Sequence, residues 1–256
     1  MPPGYVFFYM TLSRKKLKVN ILIPLGGAGK RFSDAGYVTP KPFIDVNGES
    51  MIKAVVRNLN HPSANFIFVI NEELVSVSDF ENHINEIGVD SEIRAVSKLT
   101  EGPASTVLAA KDLINNEDPL IVINCDQIIL DYNLTNIIDF VSVTGCDGLL
   151  GCFLSSSKKN SYVKLDPNGE VCDVKEKIVI SNIATNGLHF WKNGSDFVDS
   201  AEEMISLNDR YNNEFYVAPT YNYLIKKGKK ILPFFYNLHF PIGTPEDLES
   251  YLRTVK

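Results

Sequence analysis

Apolar residues in this chain fall into short continuous runs, separated by stretches in which they recur at helical spacing. KLKVNILIPL (16–25) is unbroken and rich in β-branched residues, which predicts a strand buried on both faces, as in a parallel sheet. SMIKAVVRNL (50–59) places Met51, Ala54, Val55 and Leu59 on one helical face. NFIFVIN (65–71) predicts a second buried strand. SDFENHINEIG (78–88) predicts a helix opened by Ser78 or Asp79 and closed by Gly88. SEIRAVS (91–97) follows as a strand, PASTVLAAKDLI (103–114) as a helix with Pro103 in its first turn, and PLIVINCDQIIL (119–130) as a strand ending near Cys125. Alternation of strand and helix with short links predicts right-handed βαβ units and an α/β sandwich.

The pattern changes in the second half. DGLLGCFL (147–154) and IATNGLHFWK (183–192) predict strands. SYVKLDPNGEVCDVKEK (161–177) reads as two alternating runs joined by Asp-Pro-Asn-Gly, a hairpin signal. SDFVDSAEEMIS (195–206) and FYVAPTYNYLIKKG (215–228) predict helices, the second interrupted by Pro219. KKILPFFYNL (229–238) predicts a strand and PEDLESYLRTV (245–255) a closing helix begun by Pro245. The expected fold class is α/β: a Rossmann-like α/β/α sandwich with a mainly parallel central sheet and an antiparallel hairpin extension. No linker or repeat divides it, so residues 17–256 are expected to form a single domain.

Residues 1–16 are expected to be a loosely ordered N-terminal extension. Their apolar YVFFYM precedes the basic RKK, the reverse of a signal peptide, and is too short to span a membrane. Met10 is an alternative start. The four cysteines, Cys125, Cys146, Cys152 and Cys172, form no C-x-x-C pair and no zinc spacing, and read as reduced thiols in a cytoplasmic protein. The net charge of −6 argues against a nucleic-acid binder.

It leaves room for a local anion site, and LGGAGKRFSDAGYVTPKP (25–42) has the makings of one. Glycines after a buried strand let backbone N–H groups approach an anion, and three cations follow. The loop is not a P-loop: Pro24 stands where that motif has its first glycine, and Arg31 follows Lys30. Nor is it a dinucleotide fingerprint, because Phe32 takes the third glycine position after Gly27 and Gly29. On composition alone it reads equally as a solvated cationic turn.

The spacing of L-G-G-A-G-K-R-F and the later P-K-P resembles the signature of the sugar-nucleotidyltransferase family. The resemblance implies that Leu25, Gly26, Gly27 and Gly29 wrap a nucleoside triphosphate. It implies that Arg31 holds the triphosphate and the departing pyrophosphate, and that Lys41 reaches a phosphate near the reacting centre. An arginine fork and a compact lysine charge suit those tasks. EGPASTVLAA (101–110) resembles the segment that meets base and ribose, with Gly102 and Ala104 as contacts. Asp126, at the end of a core strand, matches the family's magnesium-binding aspartate, and Mg²⁺ needs few protein carboxylates when phosphates supply the rest. VKEK (174–177), TNGLHFW (185–191) and NNEFYVAPTYNYLI (212–225) resemble acceptor-binding segments, which offers Glu176, Lys177, Asn186, Gly187 and Glu214.

One departure stands out. The family's W-x-D-x-G-T stretch reads HFPIGT here, so His239 replaces the tryptophan and Pro241 the second metal-binding aspartate. The resemblance implies a Mg²⁺-dependent nucleotidyltransferase joining an NTP to a phosphorylated acceptor, by default a sugar 1-phosphate, in surface-polysaccharide or glycoconjugate precursor synthesis. Alternatives are a cytidylyltransferase for a non-sugar phosphorylated acceptor, a nucleotide-sugar-dependent glycosyltransferase, and a catalytically impaired nucleotide-binding regulatory protein. Against the glycosyltransferase, Gln127 and Ile128 follow Asp126, so there is no D-x-D motif.

Overall fold

A computed structural model describes residues 18–27 and 29–255; the expected extension over 1–16 lies outside them. The first half runs β1 (Val19–Leu25), α1 (Lys30–Asp34), a two-stranded ribbon of β2 (Asp45–Val46) and β3 (Glu49–Ser50), α2 (Met51–Leu59), β4 (Ala64–Asn71), α3 (Val77–Asn85), β5 (Ser91–Val96), α4 (Pro103–Leu108), α5 (Lys111–Ile114) and β6 (Leu120–Ile123). The second half continues with β7 (Gln127–Ile129), α6 (Leu134–Thr144), β8 (Gly148–Leu154), β9 (Tyr162–Leu165), β10 (Val171–Lys175), β11 (Ile183–Trp191), α7 (Gly194–Ser206), α8 (Tyr221–Lys226), β12 (Ile231–Phe235), β13 (His239–Pro241) and α9 (Pro245–Thr254).

Nine strands make one mixed sheet. Its centre is parallel: β1 lies between β4 and β6, and β5 continues beyond β4. β11 runs antiparallel to β6 and β8, and β12 lies parallel to β8. The hairpin predicted over 161–177 forms as β9 and β10, turning at Asp166–Gly169, with Gly169 at φ 82°. It extends the sheet itself, through Ala184 of β11 opposite Tyr162.

Period-two alternation explains the two-sided burial. Ile21 and Ile23 of β1 face one core, with Phe66, Phe68, Val55 and Phe80, while Leu22 faces the other, with Val69, Val107, Trp191 and Phe197. Helices α2, α3, α6 and α9 cover the first face; α4, α5, α7 and α8 cover the second. Each such aliphatic or aromatic side chain contributes about 1.5–3 kcal/mol through burial. This is the expected α/β/α sandwich.

Four local expectations differ from the structure. The helix predicted over 103–114 breaks at Ala109–Ala110 into α4 and α5. The strand predicted within 119–130 and ending near Cys125 forms as β6, but the residues after it make an unexpected short strand, β7, which leaves the main sheet to pair with β13. The helix predicted over 215–228 is reduced to a 3-10 turn, Ala218–Thr220, followed by α8. Helix α6 has no counterpart among the elements expected from sequence: Leu134 and Ile137 are buried, Ile138, Phe140 and Val141 pack half-buried against the core, and Val143 is 87% exposed. Smaller shifts include the cap of α3, which is Ser76, whose hydroxyl accepts from the Asp79 N–H.

Candidate active site

Because β1, β4 and β6 are parallel, the loops that leave their carboxyl ends collect on one edge of the sheet, where ligands bind in such folds. A cavity of about 740 Å³ opens there.

Its first wall is the glycine loop. Gly26 sits so close to α4 that a Cβ would lie 2.9 Å from Thr106 Oγ1. Gly29 adopts a left-handed conformation (φ 60°, ψ 22°) to start α1. Phe32 anchors that short helix in the core, edge-on to Tyr37 at 5.1 Å. Arg31 stays exposed and lines the cavity. Lys41 begins a 3-10 turn, Lys41–Phe43, flanked by Pro40 and Pro42, whose fixed φ angles rigidify the approach.

Lys41 Nζ lies 2.6 Å from Asp126 Oδ2. Asp126 follows β6 and is held by the β7–β13 ribbon. The Ile242 N–H donates to its carbonyl at 2.8 Å, and a Cβ on Gly243 would meet its carboxylate at 2.8 Å. Asn58 of α2 pins the ribbon by bonding both N–H and C=O of Ile129 at 3.0 Å. Burial pushes the Asp126 pKa up, but the Lys41 charge and hydrogen bond, with Arg31 further off, bring it below the usual carboxylate value. Burial likewise pulls Lys41 down, and Asp126 more than reverses it. Both groups are therefore ionised at neutral pH.

The opposite wall comes from the hairpin and β11. Glu176 is buried and accepts a hydrogen bond from Ser161 Oγ. Burial raises its pKa, despite Ser161 and the Lys177 ammonium at 3.7 Å. Lys177 takes a left-handed φ of 53°; its Nζ donates to Tyr216 OH at 2.6 Å and lies 4.4 Å from that ring's centroid. Tyr216 OH in turn donates to Glu214. On β11, Gly187 has φ 85°, and a Cβ there would lie 2.6 Å from Asn124 Nδ2.

Of the residues expected from sequence, Leu25, Gly27, Gly29, Arg31, Lys41, Asp126, Glu176, Lys177, Asn186 and Gly187 line this one cavity. Gly26, Gly102, Ala104 and Glu214 stand outside the lining. Gly102 and Ala104 pack on the segment around Phe215: the Ala104 N–H donates to the Phe215 carbonyl at 2.9 Å. Pro103, between them, does reach the cavity, as do Gln127, Lys159, His189 and Tyr216, which the sequence did not single out. Gln127 and His189 each adjoin a recognised motif, at one residue from Asp126 and two from Gly187. That proximity is the only signal that pointed to them.

Among the described residues, no group of three His, Cys, Asp or Glu side chains converges as a metal cage. Pro241, opposite Gln127 in the ribbon, brings no donor side chain. His239 packs on Phe153, ring centroids 5.0 Å apart, and burial lowers its pKa to about 4. Beside the glycine loop, Asp126 offers one carboxylate, of which Oδ2 is engaged by Lys41. That set fits Mg²⁺ delivered with a polyphosphate, because this ion keeps waters and phosphate oxygens as most of its ligands.

Solved structures that share this arrangement of strands and helices include the following three. A nucleoside-diphosphate-sugar pyrophosphorylase from Vibrio cholerae RC9 is 24% identical, with a TM-score of 0.80 over 91% of this chain and 99% of that one. A UDP-glucose pyrophosphorylase complexed with UDP-glucose is 17% identical (TM-score 0.75, 93% and 98% covered). The inositol-1-phosphate CTP transferase from T. maritima is 18% identical (TM-score 0.70, 93% and 97% covered). These likenesses bear on the fold. No curated protein matches the sequence. The sequence itself matches the Nucleotidyl transferase family over residues 21–251, nearly the whole length of the sheet and its helices, and the chain belongs to that family.

Proposed function

We propose that this chain transfers a nucleotidyl group from an NTP to a phosphorylated small-molecule acceptor and releases pyrophosphate. The observation that carries this reading is the Lys41–Asp126 ion pair, set between the glycine loop on one wall and Glu176 and Lys177 on the other. Four cations, Arg31, Lys41, Lys159 and Lys177, line the cavity together with the Asp126 carboxylate, which suits two phosphorylated substrates meeting at one phosphorus. Strands from both halves share one sheet, which supports reading residues 17–256 as a single domain.

In the proposed reaction, an acceptor phosphate oxygen attacks the α-phosphorus in line, and the bond to the bridging oxygen breaks as pyrophosphate leaves. A phosphate monoester is already a nucleophile, so catalysis reduces to positioning and charge stabilisation. Leu25, Gly26, Gly27 and Gly29 cradle the triphosphate, and Gly102 and Ala104 form the wall behind base and ribose. Arg31 grips the departing pyrophosphate, and Lys41 swings from Asp126 to a phosphate oxygen beside the reacting centre. Asp126 holds Mg²⁺, whose chemistry when bound is to neutralise phosphate charge. Lys177 takes the acceptor phosphate, Glu176, Asn186 and Gly187 orient the rest of the acceptor, and Glu214, outside the lining, acts through Tyr216, whose hydroxyl donates to it.

Pyrophosphate release, measured with magnesium across the common NTPs and a panel of phosphorylated acceptors, tests the reading. Turnover with at least one pair supports it. Tight NTP binding without turnover favours the regulatory alternative that Pro241 raises, and consumption of a nucleotide sugar favours a glycosyltransferase.

A further inference from the structure

Strand β5 closes one end of the main sheet, beside β4, and among the described residues no strand lies beyond it. In a parallel ladder each residue turns its N–H and C=O to the same side, and successive residues serve opposite sides. The Asp90 carbonyl accepts from the Phe66 N–H and the Val96 carbonyl from the Glu72 N–H, so Asp90, Glu92, Arg94 and Val96 face β4. Ser91, Ile93 and Ala95 therefore present their backbone groups outward. Of these groups, the Ile93 carbonyl meets Arg94 Nη1 at 3.4 Å, a long contact from the adjoining side chain. Two other outer strands are blunted: β12 carries Pro233, which has no N–H, and β10 shifts register between Val171 and Asp173. β5 keeps an unbroken register from Ser91 to Val96 and contains no proline. A groove of about 320 Å³ runs along the same edge, where Ser91, Ile93 and Ala95 face Val77 and Ile84 of α3. None of the residues lining the active cavity belongs to β5.

We propose that β5 pairs antiparallel with β5 of a second copy of this chain, about a two-fold axis at Ile93, so that the two main sheets become one. In that register Ile93 exchanges backbone hydrogen bonds with Ile93 of the second copy, and Ser91 does so with Ala95. Every outward backbone group of the strand then has a partner. Glu92 stands opposite Arg94 of the second copy, and symmetry makes that pair twice. These are positions without backbone bonds between them, where opposed side chains come closest. Registers centred on Glu92 or on Arg94 instead set like charges against each other. Charge thus selects the Ile93 register. Arg94 is already held over this edge, 2.9 Å from Asp112 and 3.8 Å from its own Glu92. On the opposite face the two Ile93 side chains meet over the grooves beside α3 and cover apolar surface that is half-buried in one copy. The same patch serves both copies, as a two-fold interface requires.

The test is sedimentation velocity on the whole chain, at concentrations up to about 100 μM. A dimer is expected. Glu92→Arg opposes two cations and Arg94→Glu opposes two anions, so each alone is expected to raise the dimer dissociation constant at least about tenfold. Mixed in equal amounts, the two variants restore both opposite-charge pairs, and a mixed dimer of near wild-type affinity is expected. Damage to the fold of either variant is not repaired by mixing. Should one of them not fold, Ala95→Pro removes an outward N–H and leaves the ladder to β4 whole, and it is expected to weaken the dimer by a similar factor. A wild-type chain that stays monomeric at the highest concentration overturns the proposal. So does a dimer that no folded variant weakens, or a mixture of the two charge variants that associates no more tightly than either alone.

Discussion

Lys41 Nζ and Asp126 Oδ2, 85 residues apart in sequence, stand 2.6 Å apart at the centre of the cavity. The pair ties the turn after the glycine loop to the segment between β6 and β7. It also keeps a lysine charged and aimed where phosphates are proposed to arrive.

Removing the carboxylate disables the reaction more than the fold. Asp126→Asn should reduce pyrophosphate release by at least about a hundredfold. It should lower stability at neutral pH by about 1–3 kcal/mol, because Lys41 loses its partner. The wild-type advantage has a defined pH window. Burial opposes ionisation of Asp126, but Lys41 and Arg31 hold its pKa below the unfolded value. Its contribution is therefore present above about pH 4 and is lost as pH falls through the depressed pKa. Denaturant unfolding of the two proteins from pH 7 down to pH 3 should show their stabilities converging.

Glu176 has the opposite sign. Burial raises its pKa, with Ser161 and Lys177 only partly compensating, so folding costs more when this carboxyl is ionised. Stability from this group is full below the unfolded value, near pH 4, and falls as pH rises through the elevated folded value. Glu176→Gln should flatten the decline in melting temperature between pH 4 and pH 8 while raising the acceptor KM. A steeper decline in the variant would contradict the assignment.

Gly102 has φ 127°, and a Cβ there would lie 2.6 Å from both N and O of Phe215. Those are backbone atoms, which cannot swing aside. Gly102→Ala should lower stability by about 2–4 kcal/mol and weaken NTP binding through the displaced wall, as read by denaturant unfolding and nucleotide titration.

Tyr216 holds Lys177 by its hydroxyl and its ring face. Tyr216→Phe removes the hydrogen bond and keeps the ring. Acceptor KM should rise about threefold to tenfold with NTP affinity unchanged. Steady-state kinetics with each substrate varied in turn separates the two effects.

Much of this was legible from local pattern. β1 and β4 are continuous apolar runs, the β9–β10 turn is written as Asp-Pro-Asn-Gly, and the loop from Gly26 to Lys41 carries its glycines and cations at set spacing. What escaped depends on distant partners. β7 and β13 have three residues each and exist because they pair with one another across more than a hundred positions. Helix α6 did carry a signal, since Leu134, Ile137, Ile138 and Val141 recur at helical spacing on its core face, with Phe140 and Val143 off that face blurring it. The split between α4 and α5 has no glycine or proline to announce it; the break at Ala109–Ala110 follows the packing of α7 against both pieces. Gln127, His189 and Tyr216 share the cavity with Lys177 through a register slip in β11 and through the chain returning beside Gly102. A single sequence states neither.

The central claim is that this cavity joins two phosphorylated substrates at one phosphorus. The most direct measurement incubates the protein with magnesium, each NTP and glucose 1-phosphate or inositol 1-phosphate, and quantifies pyrophosphate together with the nucleotide-linked product. The account predicts equal amounts of the two from at least one pair, and neither from Asp126→Asn. Release of inorganic phosphate alone, or saturable NTP binding with no product from any pair, would contradict it.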